Sequence, residues 1–233
     1  MTSEEAVGSK DTESRVDWAN LPVGVVLIPT LFFVILLTIW ELAVRLGDVH
    51  VLMLPAPSVI WTKFVEDFDI LVELAFNTGV ESAKGVLAGS VIAITLAALV
   101  HGIRWLNQGL LAYSSTVKAL PVVALYPVMT VFFGVTSKAV VAMVCVGVAP
   151  IMFTFASRGF SGASEHDDLM RSISAGWWTR MTALVLPRAL PYVMAGLRTA
   201  VPLAIIIAII SEYFGGSVST LGAYIRREST MLH

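Results

Sequence analysis

A polar segment between two apolar stretches, residues 162–191, carries the features best suited to recognising another molecule. Ser164 is followed three residues later by Asp167, a capping pattern that marks the start of a helix. Asp167 and Asp168 then fall in the first helical turn, where carboxylates are stabilised by the helix dipole. The segment is therefore predicted to contain a helix with an acidic start rather than a loose loop.

The same segment predicts an apolar helix face and a second helix. Leu169, Ile173 and Trp177 recur at spacings of four, so they share one face. Gly176 offers a stop, and a second helix over 178–186 ends before Pro187. Such a helical hairpin suits docking into a groove of a cytosolic partner. An interfacial amphipathic linker that touches only lipid explains the periodicity equally well.

Chemistry of other kinds finds little support in the residues. The single cysteine, Cys145, lies in an apolar run and cannot form a disulfide within the chain. The four histidines are scattered without ligand spacing, which argues against a metal site. No Gly-x-x-x-x-Gly-Lys-Ser/Thr loop occurs, so we do not expect this chain to hydrolyse ATP. No set of nucleophile, base and oxyanion donors is apparent, and the chain is predicted not to be an enzyme.

Composition identifies the medium in which these residues must be positioned. Of the 233 residues, 57% are hydrophobic and 14% are charged, against about 45–50% and about 25% in soluble domains. Mean hydropathy is +0.82. These values exclude a disordered chain and a basic nucleic-acid-binding domain. They predict an integral membrane protein whose solvent is the lipid bilayer.

The apolar runs predict five membrane-spanning helices. A span needs about 20 apolar residues, and unbroken runs do not alternate as barrel strands must. The predicted spans cover about 18–40, 85–102, 110–134, 139–157 and 191–214, with Pro191 at the first position of the fifth helix. Loops on the side of the N-terminus carry seven Lys and Arg residues against five on the other side, which places the N-terminus in the cytoplasm.

A few polar residues and prolines within the spans are candidates for a path through the membrane. Glu212 lies near the end of the fifth span, where it either lines a path or is an interfacial charge. Prolines such as Pro127 free backbone carbonyls that a water-lined path can satisfy, so Tyr126 and Pro127 are candidate path residues. Prolines without a function are also common in membrane helices.

The stretch from Asp168 to Pro187 resembles the EAA loop of binding-protein-dependent ABC importer permeases. That family's pattern is Glu-Ala-Ala, three residues, Gly, nine residues, Ile, one residue and Leu-Pro. The closing half fits and the opening half departs from the pattern. The corresponding residues here are Asp168, Leu169 and Met170 for Glu-Ala-Ala, Ser174 for Gly, Leu184 for Ile, and Leu186 with Pro187 for Leu-Pro.

The resemblance extends over about 52–222, to the nitrate, sulfonate and taurine group of these permeases. Several separate matches in the right order are more specific than any one of them. The matching motifs are Leu54-Pro55-Ala56-Pro57-Ser58, Lys118-Ala119-Leu120-Pro121, Tyr126-Pro127, Phe132-Phe133-Gly134, Ser137-Lys138, Ser211-Glu212 and Leu221-Gly222.

This resemblance implies an all-α polytopic bundle of the type I ABC importer permease kind. Residues 1–20 would form a polar cytoplasmic tail, and 21–233 the permease domain with a coupling loop at 158–190. Because the family usually has six spans, a sixth is expected to be missing here. The implied ATPase-coupling residues are Asp167, Asp168, Leu169, Met170, Ile173, Ser174, Gly176, Leu186 and Pro187. The implied path residues are Tyr126, Pro127, Met129, Phe133 and Glu212.

The resemblance also implies the partners and the location. A separate cytoplasmic ATPase would bind ATP and magnesium, a second permease subunit would complete a homo- or heterodimer, and an extracytoplasmic binding protein would deliver solute. The chain would span the bacterial plasma membrane, with no cofactor and no nucleic acid. The cargo would be a small solute such as a sulfonate, nitrate, taurine or a pyrimidine or aromatic compound. An ion-coupled transporter or channel is the alternative, but Lys118, Arg198 and Glu212 all lie near span ends.

Overall fold

The apolar runs fold into helices whose ends are set largely by proline, glycine and short polar breaks. The computed structural model describes residues 23–47, 54–161, 176, 179 and 181–231. This part of the chain contains no β-strand, so the predicted all-α fold is confirmed. Its α-helices are α1 (Val23–Leu46), α2 (Pro57–Glu66), α3 (Phe68–Val100), α4 (Arg104–Ala119), α5 (Tyr126–Phe133), α6 (Ser137–Ser161), α7 (Leu186–Gly215) and α8 (Leu221–Met231).

The chain divides into two compact units, residues 1–66 and residues 67–233. In the first unit, the Glu41 carboxylate joins α1 to α2. It accepts hydrogen bonds from Arg45 Nε at 2.6 Å, from Ser58 Oγ at 2.7 Å and from the Ser58 backbone N–H at 3.1 Å. Ser58 is the second residue of α2, where backbone N–H groups lack partners within the helix. The carboxylate therefore caps α2 and favours its dipole.

The second unit is built on close packing of α3, α6 and α7. Val144 and Val148 of α6 have no exposed surface. Gly89 of α3 lies so close to α6 that a Cβ atom there would stand 2.9 Å from the Cys145 carbonyl oxygen. Small residues on one helix let backbones approach in this way, which is how membrane helices gain packing contacts without a hydrophobic driving force.

Within the described part of the chain, four helices are long and apolar enough to cross a membrane, namely α1, α3, α6 and α7. The third predicted span differs from a straight helix. It consists of α4, a 3-10 turn (Val122–Leu125) and α5, and the two halves are bent by 89°. Counted as one span, this bent pair gives five. The break falls at Leu120, which is extended (φ −79°, ψ 144°) because the following Pro121 disfavours the helical conformation.

The second and fifth spans begin earlier than predicted. Helix α3 starts at Phe68 rather than near 85 or 78. Helix α7 starts at Leu186 with Pro187 in its first turn, directly after a π-helical turn over Met181–Val185. Pro191 therefore lies inside the helix, and the prediction that it opens the span is wrong. Pro191 lacks the N–H that would bond to the carbonyl four residues earlier, that of Pro187.

Candidate functional site

Helix α5 presents apolar side chains that the rest of the second unit leaves uncovered. Val131 is 82% exposed and Phe132 is 77% exposed. Phe133 and Pro127 are also exposed, whereas Met129 is half-buried and packs against the core. The helix ends at Gly134, whose φ of 71° is a conformation that glycine adopts without steric cost. The predicted path residues Pro127 and Phe133 thus lie on the outer side of this short helix.

Tyr126, the first residue of α5, is directed into the protein instead. Its side chain is buried, with 2% of its surface exposed. It packs on the end of α7, where a Cβ atom at Gly215 would lie 3.5 Å from the Tyr126 hydroxyl. That hydroxyl has no hydrogen-bond partner among the described residues. Tyr126 therefore anchors the N-terminal end of α5 against α7, on the side opposite the exposed face of α5.

Glu212 is fully buried within the protein, and it connects three elements of the second unit. Its Oε2 accepts a hydrogen bond from Thr78 Oγ1 of α3 at 2.9 Å and from the Gly222 N–H of α8 at 3.0 Å. The Thr78 hydroxyl oxygen also accepts from the Leu221 N–H at 3.1 Å. The carboxylate therefore lies at the N-terminus of α8, where the free N–H groups and the helix dipole favour an anion.

Gly222 makes this arrangement possible because a larger residue does not fit. A Cβ atom there would overlap the Ile209 carbonyl oxygen and would lie 2.7 Å from the Tyr213 nitrogen. A second hydrogen bond joins α3 to the turn before α8, because Asn77 Nδ2 donates to the Ser219 carbonyl oxygen at 2.9 Å. We call these contacts around Glu212 the tie. The sequence indicates Glu212 as a candidate path residue and contains Glu212 and Gly222 in two separate family motifs, but it predicts no role for Asn77 or Thr78. The contacts of Asn77 and Thr78 join residues far apart in the sequence, so no local sequence pattern could predict them.

Several buried oxygens near this tie lack a hydrogen-bond partner within the described part of the chain. They belong to Glu81, Tyr126, Ser211 and Glu212 (Oε1). Glu81 is 7% exposed and lies in the middle of α3. Buried polar atoms are usually paired, so this group of oxygens stands out within the described interior.

The predicted coupling residues lie mostly outside the described residues, namely Asp167, Asp168, Leu169, Met170, Ile173 and Ser174. Gly176 is exposed, and a Cβ atom there would meet nothing within 4 Å. Leu186 is 55% exposed at the start of α7, beside the exposed Pro187.

Both ends of the predicted coupling segment are held together by a contact between α6 and α7. A Cβ atom on Gly159 would lie 2.9 Å from the Cα atom of Ala189, which is buried. The end of α6 and the start of α7 therefore lie side by side at this contact. A hairpin fits this arrangement, because its two ends must lie side by side.

Among the described residues, no group of three or more His, Cys, Asp or Glu side chains is placed to hold a metal ion.

Comparison with known proteins identifies the family to which this helical membrane protein belongs. Residues 85–231 match the family model described as the binding-protein-dependent transport system inner membrane component. The formylaminopyrimidine transport permease protein of Halalkalibacterium halodurans is 30% identical over 87% of this chain and 81% of its own length. The riboflavin transport system permease protein of Chloroflexus aurantiacus is 29% identical over 91% of this chain and 77% of its own length.

A more distant relative from Bacillus subtilis is 22% identical over 93% of this chain and 76% of its own length. It is provisionally named an aliphatic sulfonates transport permease protein. No solved structure matches the chain. The family match covers well over half of the sequence and includes the coupling segment, α5 and the tie between Glu212 and Gly222. The chain therefore belongs to the binding-protein-dependent transport system inner membrane components, the permease subunits of ABC importers.

Proposed function

We propose that this subunit pairs with a second permease, identical or different, to enclose a path for a small solute. The observation that carries this proposal is the family match over residues 85–231. The exposed apolar face of α5 supports it, because such a surface suits burial against another membrane subunit. Pro127 and Phe133 would lie at this interface and path, and Met129 would stand at its edge.

Tyr126 and Glu212 would act from within the subunit, beneath the exposed face of α5. Both are buried within the subunit, so they would shape the path by fixing α5 and the junction of α7 with α8. An intramembrane carboxylate is costly and is retained where it has a role. In this proposal Glu212 holds α3, α7 and α8 together while the subunit changes between inward-facing and outward-facing states.

Residues 158–190 would couple the permease to a cytoplasmic ATPase. An acidic helix start at Asp167 and Asp168 and an apolar face at Leu169 and Ile173 suit docking into a groove of that partner. The ATPase would bind ATP and magnesium, whereas this chain would hydrolyse nothing. Two observations support this assignment: the predicted cytoplasmic N-terminus, and the close packing of Gly159 on Ala189, which brings the end of α6 next to the start of α7.

The solute would be delivered by an extracytoplasmic binding protein at a bacterial plasma membrane. The relatives' names include a pyrimidine, a flavin and aliphatic sulfonates. We propose a cargo of this range, a small sulfonate, nitrate, taurine, or a pyrimidine or aromatic compound. The binding protein would supply much of the selectivity among such solutes.

Copurification from the source membrane tests this proposal. The tagged chain, extracted in mild detergent, should retain a soluble ATPase and show ATP hydrolysis. A tagged membrane protein of another family serves as the control for nonspecific retention. An ion-coupled transporter or channel would be recovered without an ATPase, and that result would exclude an ATP-driven permease.

A further inference from the structure

A cavity of about 470 Å³ lies beside the break in the third span. It is lined by the end of α4, the residues after the break, α6 and α7. Its walls are mainly apolar, with Val122, Ile151, Phe155 and Leu203 among them. Its volume falls within the range of about 300–1,000 Å³ that is usual for small-molecule sites.

One cation lines this otherwise apolar cavity. Lys118 Nζ donates a hydrogen bond to Thr154 Oγ1 of α6 at 3.1 Å, and that hydroxyl itself donates to the Pro150 carbonyl oxygen at 2.8 Å. An ammonium group has three N–H donors, so two remain for other acceptors. Within the described part of the chain, no carboxylate lies within ion-pair distance of Lys118.

The position of Thr154 argues against a lysine that merely reaches the membrane surface. Thr154 precedes Ser161, the last residue of α6, by seven positions, or about 10 Å along the helix axis. Long lysine side chains near helix ends usually extend to the interface. The hydrogen bond to Thr154 instead holds the ammonium group beside the cavity. Lys118 is exposed in this subunit, and a charged residue within a predicted membrane span is a functional-site candidate by default.

We propose that this cavity receives the anionic group of a small organic solute, with Lys118 as its counter-ion. The apolar walls would hold the body of the solute. Thr199 of α7, which also lines the cavity, would offer a second polar contact. The inference rests on the proposed function, because an anion site in this place serves as a solute site only in a transporting subunit. It narrows the cargo to organic anions with an apolar portion.

Protection of Lys118 from acetylation tests the proposal with the unaltered protein. The full-length chain, in lipid nanodiscs with the partners that copurify, is treated with a neutral amine-acetylating reagent, and peptides are quantified by mass spectrometry. The probes are benzenesulfonate and its uncharged isostere benzenesulfonamide. Benzenesulfonate should slow acetylation of Lys118 roughly tenfold at about ten times its dissociation constant, since protection follows 1 + [L]/Kd.

Two controls make the result specific. Benzenesulfonamide should leave the rate at Lys118 unchanged, and neither probe should protect Lys138, which lies at the start of α6 and does not line the cavity. Equal protection by both probes, or none by benzenesulfonate up to its solubility limit, would overturn the anion site. Protection without a copurifying ATPase would leave the anion site in place and refute the proposed transport function instead.

Discussion

The Glu212 carboxylate and the backbone N–H of Gly222 lie 3.0 Å apart and form a hydrogen bond between the end of α7 and the start of α8. The same carboxylate oxygen accepts from Thr78 of α3. One buried acid therefore determines how three helices meet. The turn between α7 and α8 is anchored by this bond, and any movement of α8 must break or carry it.

Replacing Glu212 by alanine should destabilise the protein more than any exposed acid does. The Thr78 hydroxyl and the Gly222 N–H would both lose their acceptor, at a cost of about 2–3 kcal/mol. Glu212→Gln keeps a carbonyl oxygen and should cost less. Thermal unfolding in detergent, with Glu228→Ala as the control at an exposed acid of α8, measures the difference. Equal midpoints for Glu212→Ala and Glu228→Ala would show that the tie does not stabilise the fold.

Gly222→Ala tests the close approach of α8 to α7. The added methyl group would meet the Ile209 carbonyl oxygen and the Tyr213 nitrogen, both of them backbone atoms that cannot turn away. Overpacking of this kind typically costs about 1–3 kcal/mol. Gly109→Ala in α4 is the matched control, because a Cβ atom there meets nothing within 4 Å. A variant at 222 as stable as the one at 109 would contradict the packing described.

Charge reversal in the predicted coupling helix should release the ATPase. Asp168→Lys together with Leu169→Lys removes an acid from the helix start and an apolar side chain from its docking face. Copurified ATPase should fall to background, while the elution volume of the permease stays unchanged. Glu228→Lys, a charge reversal at a single acid on α8, should leave association intact. Full retention of the ATPase by the double variant would refute the coupling assignment.

Thiol labelling tests the predicted path residue Phe133. In a Cys145→Ala background, Phe133→Cys should react with a water-soluble thiol reagent in the assembled complex if it borders an aqueous path. Met143→Cys, at a fully buried position of α6, should not react. Labelling at both sites would indicate unfolding. Protection of Phe133→Cys in the complex but not in the isolated subunit would place it in a subunit interface instead of the path.

The protein should lose stability in alkaline solution as Tyr224 ionises. Burial, and then the hydrogen bond its hydroxyl donates to Asp67 Oδ2 at 3.0 Å, raises the pKa of Tyr224. The folded state therefore favours the neutral phenol. The stability that Tyr224 contributes is fully present below the unfolded pKa of about 10, and it is lost as the pH rises through the higher pKa of the folded state. Thermal midpoints should fall more steeply above pH 10 for the native protein than for Tyr224→Phe. Parallel curves would remove Tyr224 as the cause.

The sequence by itself determined the medium, the helical class, the approximate spans and the family. Long uncharged runs permit only a membrane helix, because every backbone polar group in lipid must be satisfied within its own segment. Motifs such as Leu186-Pro187 and Leu221-Gly222 indicated the permease family, because each motif is a short stretch of sequence and the motifs occur in the family's order.

Only the tertiary structure decided how the spans break and meet. The 89° bend around Leu120 and Pro121, the early start of α7 and the position of Lys118 beside a cavity depend on packing between helices. Thr78 and Glu212 stand 134 positions apart in the sequence, and neither residue type announces its partner. A hydropathy pattern records how apolar a segment is, whereas the burial of a single carboxylate depends on which distant helix supplies its donor.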